Sequence, residues 1–199
     1  TVTGVEFVAA DLLGGVDTLD FTSNTAANAV NVNLVAGTAT GFSSIANIEN
    51  VNGGAGGDTI FGSDLANVIN GNNGDDVITG GAGNDIITGG AGNDRFIATI
   101  GDGNDSYNGN GGIDTLDLSG TTAGATINLV AGTASSAQIG TDTLANIENI
   151  IGSTGNDVIT ANNAPHVFTG GLGADRFVFN SAAAAGNGAT RDIIRDFLS

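Results

Sequence analysis

The chain has 199 residues, with 34 glycines, 24 asparagines, 21 acidic side chains, four arginines and no lysine, for a formal net charge of -17. Charge of that sign repels phosphate, so the counterion release that drives nucleic-acid binding works against it; nucleic acid and anionic membrane surfaces are excluded as partners. No run of 18 apolar residues exists for membrane insertion, and the absence of cysteine removes disulfides, thiolate metal sites and cysteine nucleophiles together. The length allows one domain or two small ones, cored by Ala, Val, Leu and Ile, since Met and Trp are absent. Thr1 opens the chain without a charged n-region or an apolar h-region, so it reads as a fragment or a processed product. An acidic, Gly- and Asn-rich chain is disordered unless its apolar positions are regular and its charge is neutralised.

Those positions are regular. A fragment GGVDTLD at 14–20 leads in, and alternating Val30, Val32 and Leu34 read as a strand. Ile45, Ile48 and Val51 have a helix-like spacing of three, but their Asn and Gly flanks favour short solenoid rungs. From residue 53 a period of nine takes over: GGAGGDTIF (53–61), GSDLANVIN (62–70), GNNGDDVIT (71–79), GGAGNDIIT (80–88) and GGAGNDRFI (89–97). The phase slips by two residues after Ile97 and resumes with IGDGNDSYN (100–108) and GNGGIDTLD (109–117). A further cluster holds GSTGNDVIT (152–160), the degenerate ANNAPHVFT (161–169) and GGLGADRFV (170–178). GGVDTLDF, VNLVAGTA and IANIENV recur in the same order as GGIDTLDL, INLVAGTA and LANIENI, the second strand being Ala125, Ile127 and Leu129, followed by Leu144, Ile147 and Ile150. Two halves result: 1–117, with lead-in rungs 14–52 and repeats 53–117, and 118–199, with lead-in rungs 118–151, repeats 152–178 and a flank 179–199.

The nonapeptide resembles the calcium-binding repeat of the RTX family, GGxGxDxUx with U a large apolar residue. The resemblance implies an all-β fold, a parallel β-roll or right-handed β-solenoid with calcium in its Gly-rich turns. Its physical logic is as follows. Position eight of each nonapeptide, the middle of a short strand, points inward, so Ile60, Ile69, Ile78, Ile87, Phe96, Tyr107 and Leu116 form an interior column. If two nonapeptides complete one turn of the coil, same-side residues recur every 18: Asp58, Asp76 and Asp94 stack on one edge, Asn67 and Asp85 on the other. Carboxylates at a rung separation of about 4.8 Å repel by roughly 3.5 kcal/mol at an effective dielectric of about 20, against a stability of about 0.1 kcal/mol per residue. A cation between turns relieves that repulsion. Calcium binds oxygens at about 2.3–2.6 Å, which places opposite ligands about 4.6–5.2 Å apart, near the rung separation, whereas magnesium requires about 4.1 Å and zinc prefers His or Cys. The expected metal residues are Asp58, Asp76, Asp85, Asp94, Asp105, Asp114, Asp157 and Asp175, with Asn67 and the turn glycines Gly54, Gly56, Gly81, Gly83, Gly90 and Gly92. Same-side pairs 58/76, 76/94, 157/175, 85/105 and 94/114 imply about five ions, the last two pairs needing a bulge to absorb their two extra residues.

Turn preference alone does not put Asp at position six with a large apolar residue two places later. His166, beside Pro165 in a degenerate repeat, reads as a surface turn residue, with a pH-sensitive gap in the stack as the alternative. Glu49 and Glu148 share a NIEN context and read as one structural rung used twice, not as a catalytic pair; Tyr107 reads as core. Asp20, Asp64 and Asp117 lie off position six and are expected to be solvated. No GxSxG, HExxH, phosphate-binding loop, GxGxxG or EF-hand is present, so no enzyme is expected. GGLGADRFVF, an alanine-rich linker and RDIIRDF resemble the final repeat and flank of RTX proteins exported by type I secretion, in which an uncleaved C-terminal signal continues beyond such a segment. The expected function is calcium-coupled folding outside the cell, as a carrier element of a larger secreted protein. Alternatives are a unit of a surface layer, filament or adhesin, using exposed Val68, Val77 and Ile86, and a carbohydrate-binding or enzymatic domain, for which no aromatic platform or catalytic constellation is found. Partners are then calcium ions, no nucleic acid, no membrane insertion, and other copies or neighbouring domains of a secreted or cell-surface protein.

Overall fold

A computed structural model describes residues 8–11, 13–24, 28–180 and 192–196; the alanine-rich linker lies outside them. Every regular element among these is a strand. The lead-in supplies β1 (Val8–Asp11), β2 (Thr18–Asp20), β3 (Asn31–Asn33), β4 (Thr38–Ala39), β5 (Phe42–Ala46) and β6 (Asn50–Asn52). The repeats supply β7 (Thr59–Ser63), β8 (Val68–Asn73), β9 (Val77–Gly81), β10 (Ile86–Ala91), β11 (Arg95–Ile97), β12 (Ser106–Gly111) and β13 (Thr115–Asp117). Then come β14 (Thr126–Asn128), β15 (Thr133–Ser136), β16 (Gly140–Ala145), β17 (Asn149–Ile151), β18 (Val158–Ala161), β19 (Val167–Thr169), β20 (Arg176–Phe179) and β21 (Ile193–Ile194).

Successive strands of the repeats alternate between two sheets. The first has the order β2-β6-β8-β10-β12-β16-β15-β14-β18-β20, the second β21-β19-β17-β13-β11-β9-β7-β3-β4. Neighbours are parallel through the repeats, and the register gives the coil period directly: Ile60 pairs with Ile78 and Ile69 with Ile87, 18 residues apart. Two nonapeptides therefore complete one turn. Both sheets continue across residues 117 and 118, because β12 pairs with β16 and β13 with β17.

The small-residue composition now has a spatial meaning. Only one side chain per three-residue strand enters the space between the sheets, and Ile60, Ile69, Ile78, Ile87, Phe96, Tyr107 and Leu116 are all buried there. Val51, Ile150, Ile159 and Phe168 extend the column at both ends. Burying an Ile or Leu contributes about 1.5–3 kcal/mol, so the column is the main apolar term in the coil.

Three features depart from the sequence expectations. The VNLVAGTA and INLVAGTA segments are not simple parallel rungs: β3 turns back antiparallel onto β4, and β14, β15 and β16 form an antiparallel meander. Val77 is half-buried, unlike exposed Val68 and Ile86, because it lies in register between Thr59 and the long Arg95. Asp117 is buried and ion-paired with Arg95, whose Nε donates to its Oδ2 at 2.8 Å; Asp20 and Asp64 are exposed as expected.

The two-residue slip is absorbed without breaking either sheet. Ile86 pairs with Ser106 and Arg95 with Thr115, both 20 apart, so the extra residues lodge in the turn between Ile97 and Ser106.

Turn packing is tight enough to test by mutation. Gly90 has φ 124°, and a Cβ on it would overlap the carbonyl oxygen of Asn72, whereas a Cβ on Gly120 meets nothing within 4 Å. Gly90→Ala is expected to lose at least about 1–3 kcal/mol through overpacking, and Gly120→Ala to stay within about 0.5 kcal/mol of the parent, as read from denaturation midpoints in calcium.

Candidate metal centres in the turns

The strand period fixes where position six goes. Each Asp there sits where the chain leaves a turn and enters a strand, directly above its counterpart in the previous turn. Its Oδ1 accepts the backbone N–H of that counterpart. Along the second sheet, Val30 donates to Asp58, Asp58 to Asp76, Asp76 to Asp94 and Asp94 to Asp114, at 2.7–2.9 Å. Along the first, Asn67 donates to Asp85, Asp85 to Asp105 and Asp105 to Asp142, and farther on Ala125 donates to Asp157 and Asp157 to Asp175. The structure thus brings the expected residues into two edge stacks, and the slip leaves both unbroken.

A second ladder runs the other way. Position-five side chains accept N–H groups from the turn that follows: Asn93 donates to Asp75, Ile113 to Asn93, Asn104 to Asn84, Thr141 to Asn104 and Ala174 to Asn156. The recurrent Asn or Asp before position six was the signal for it.

The second oxygen of each position-six carboxylate divides the turns into two kinds. At Asp58, Asn67 and Asp157 the turn closes on itself, with the N–H of Gly54, Ser63 or Ser153 donating to the Oδ2 of Asp58, the Oδ1 of Asn67 or the Oδ2 of Asp157. At Asp76, Asp85, Asp94 and Asp114 Oδ2 is buried and has no hydrogen-bond partner. The cause is backbone conformation. In these four turns position two has positive φ, at Asn72 (77°), Gly81 (107°), Gly90 (124°) and Asn110 (66°), which turns its N–H away. Of the remaining expected glycines, Gly83 and Gly92 also have positive φ, while Gly54 and Gly56 do not. Position one must be glycine for another reason, since a Cβ on Gly71, Gly80, Gly89 or Gly109 would overlap the unpaired Oδ2 of its own turn.

Burial dominates the electrostatics of these groups. It raises the carboxyl of Asp76 to about 7 and those of Asp85 and Asp94 to about 6, against the opposing effect of the N–H each accepts and with like charges in adjacent turns adding to it. Asp105, Asp114 and Asp157 are raised for the same first cause. A buried, unpaired carboxylate oxygen in a glycine-walled cradle fits a hard divalent cation. Among the described residues, no three carboxylate or imidazole groups converge tightly enough to hold an ion by side chains alone. An ion here would therefore take one or two carboxylates and complete its shell with turn carbonyls, a mixture that suits calcium.

The residues that break the pattern have a common explanation. Glu49 and Glu148 each reach back to accept the N–H of Asp17 or Asp114, the carboxylate role performed by a longer side chain. The next turn, 18 residues on, then faces a backbone carbonyl. Asn67 donates Nδ2 to the Glu49 carbonyl at 2.6 Å, and His166 places Nδ1 2.6 Å from the Glu148 carbonyl. A donor is required at both places, so Asp is replaced. His166 is accordingly no surface residue. It is 2% exposed, stacks on Phe168 at 5.1 Å and donates its backbone N–H to Asp192. Asp192 and Asp196, the latter accepting from Gly170 and Gly171, make residues 192–196 of the flank a closing rung. Tyr107 is core, as expected, and its hydroxyl donates to Asp105 Oδ2 at 2.9 Å. Asp102 and Asp142, both buried, were not singled out by the sequence pattern, since Asp102 stands at position three of IGDGNDSYN, where the repeat specifies no residue, and Asp142 lies outside the nonapeptides.

Two family models match the chain. Residues 46–64 and 61–96 match the RTX calcium-binding nonapeptide repeat, and residues 105–199 match the C-terminal domain of serralysin-type M10 peptidases. The chain carries RTX calcium-binding repeats. No curated protein matches it. The RTX repeats that the family model matches include the turns of Asp76, Asp85 and Asp94, three of the four nonapeptide turns with an unpaired, buried Oδ2 at position six.

The raised carboxyls give the RTX turns a pH signature. In the unfolded chain Asp ionises near 3.9, whereas Asp76, Asp85 and Asp94 hold their protons in the fold to about 6 or 7. The folded state binds more protons, so without metal its stability is greatest below the unfolded value and declines as pH rises through this window. In chelator, circular dichroism is expected to show more β structure near pH 5 than near pH 7.5, and calcium binding near pH 6 to release protons. A calcium-free chain whose structure does not respond to pH contradicts this.

Proposed function

We propose that the chain is a non-catalytic calcium-binding module that folds on metal outside the cell and serves as a carrier element of a larger, type I-secreted protein. The observation that carries this reading is the set of unpaired, buried carboxylate oxygens on Asp76, Asp85, Asp94 and Asp114, in a chain of net charge -17. Without a cation the stacks repel, and a calcium-poor cytoplasm leaves the chain expanded and ready for export. External calcium at the level of sites with dissociation constants of about 10⁻⁴–10⁻³ M then drives folding.

On this reading the ions lie between same-side turns, about five in all, on the carboxylates of Asp58, Asp76, Asp85, Asp94, Asp105, Asp114, Asp157 and Asp175; Asp76, Asp85, Asp94 and Asp114 have a free oxygen for an ion, while Asp58, Asp105 and Asp157 would exchange a hydrogen bond for it. The halves 1–117 and 118–199 are successive copies of one coil segment, a division suggested by the duplicated motifs. A second reading, a unit of a calcium-dependent surface layer, filament or adhesin, is favoured by one observation. Val68 and Ile86 are both exposed and adjacent in register on the outer face of the first sheet, a small apolar strip available to another copy or a neighbouring domain.

Calcium is expected to convert the chain from an expanded state to a compact β-rich one, and magnesium at the same concentration is not. Circular dichroism and hydrodynamic radius in chelator, magnesium and calcium decide this; an equally compact fold in chelator at neutral pH refutes the folding switch. Asp76→Ala is expected to lower calcium stoichiometry and affinity in titration calorimetry, whereas Asp64→Ala, at an exposed position outside the stack, leaves both unchanged.

A further inference from the structure

Asp105 holds a position-six place but differs from the four aspartates with a free oxygen. Its Oδ1 accepts the Asp85 N–H and its Oδ2 accepts the Tyr107 hydroxyl, so both oxygens are engaged. The free oxygens at this level of the coil belong to two other residues. Asp102, at position three of the repeat that follows the two-residue slip, is 2% exposed; its Oδ2 accepts the Thr99 N–H and its Oδ1 has no partner. Asp142 is fully buried; its Oδ1 accepts the Asp105 N–H and its Oδ2 has no partner.

The two turns that carry them are stacked directly. Gly101 donates to the Gln138 carbonyl at 2.7 Å and Thr141 to Asn104 Oδ1 at 2.8 Å, while a Cβ on Gly140 would overlap the Gly103 carbonyl oxygen. Burial raises the Asp142 carboxyl to about 8, with the charges of Asp102 and Asp105 adding to the shift, and it raises Asp102 to about 7. Two carboxyl groups closed off from water, in turns that stack directly and each with an unpaired oxygen, offer a cation two unused oxygen ligands.

We propose that a calcium ion bridges Asp102 and Asp142 across the stacked 99–105 and 138–142 turns, at a site that uses position three of one repeat and a residue outside the nonapeptides. Asp105 positions the site through its N–H to Asp142 and contributes no ligand oxygen, because Tyr107 holds the one it would offer. The ion clamps the turn between Ile97 and Ser106 that carries the two extra residues. This inference rests on the calcium reading above.

Tyr107 makes the site separately observable, since it is the only tyrosine and the chain has no tryptophan. Terbium shares calcium's preference for hard oxygen ligands, and its emission under tyrosine excitation falls off steeply with distance. Titration of the chain with terbium is expected to give tyrosine-sensitised emission that calcium displaces. Asp102→Asn and Asp142→Asn are each expected to lower the emission several-fold and to remove a single ion from the calcium count. Asp64→Asn, exposed and outside the stacks, is expected to leave both unchanged. An unchanged emission or an unchanged calcium count in Asp102→Asn and Asp142→Asn overturns the proposal. If circular dichroism shows that Asp102→Asn and Asp142→Asn do not fold in calcium, the parent chain decides: absent sensitised emission refutes the site. Failure of the wider reading looks different, with neither a calcium-induced change in circular dichroism nor uptake of either metal.

Discussion

Everything in this coil depends on a backbone N–H in one turn reaching a carboxylate oxygen in the next. The bond sets the separation between turns, holds position six at the mouth of each strand and buries the acid there. It also divides the labour of each carboxylate, with one oxygen holding the protein together and the other left over. Asn can supply the first oxygen, but its amide offers a donor where the second should be. The count of acidic residues therefore says little by itself. What matters is which turns have a position-two residue whose N–H points away.

The period of nine made the coil legible. It located the interior column residue by residue and assigned Asp58, Asp76 and Asp94 to one edge and Asp85 to the other, because strand alternation and turn length leave no freedom once 18 residues complete a turn. The antiparallel excursions were not legible, since alternating Val30, Val32 and Leu34 read the same whether the following strand runs on or turns back. Asp117 looked solvated because its partner Arg95 stands 22 residues away and enters only through the coil register. Asp142 was hidden by an insertion: it stands 37 residues beyond Asp105, although it occupies the next place in the same stack.

The duplicated NIEN motif is where the repeat rule fails for a reason. A Glu that reaches backwards leaves its own carbonyl as the group presented to the turn above, and that turn must then donate. Asn67 and His166, which seemed to be two unrelated degenerate positions, answer the same demand from the same distance. Degeneracy in a repeat protein is then partly a record of what the neighbouring repeat offers.

The antiparallel hairpin of β3 and β4 has a consequence for how such a coil coexists with copies of itself. A solenoid of uniform rungs exposes at each end a full strand of unsatisfied N–H and C=O groups, a template on which an identical molecule can add indefinitely. Among the described residues, the second sheet instead finishes in β4 and in β21, each two residues long, and the first runs from the three-residue β2 to the four-residue β20. Edges so short offer few hydrogen bonds to an arriving chain. Short strands at these edges weaken the pull of a motif that stacks well on its own kind.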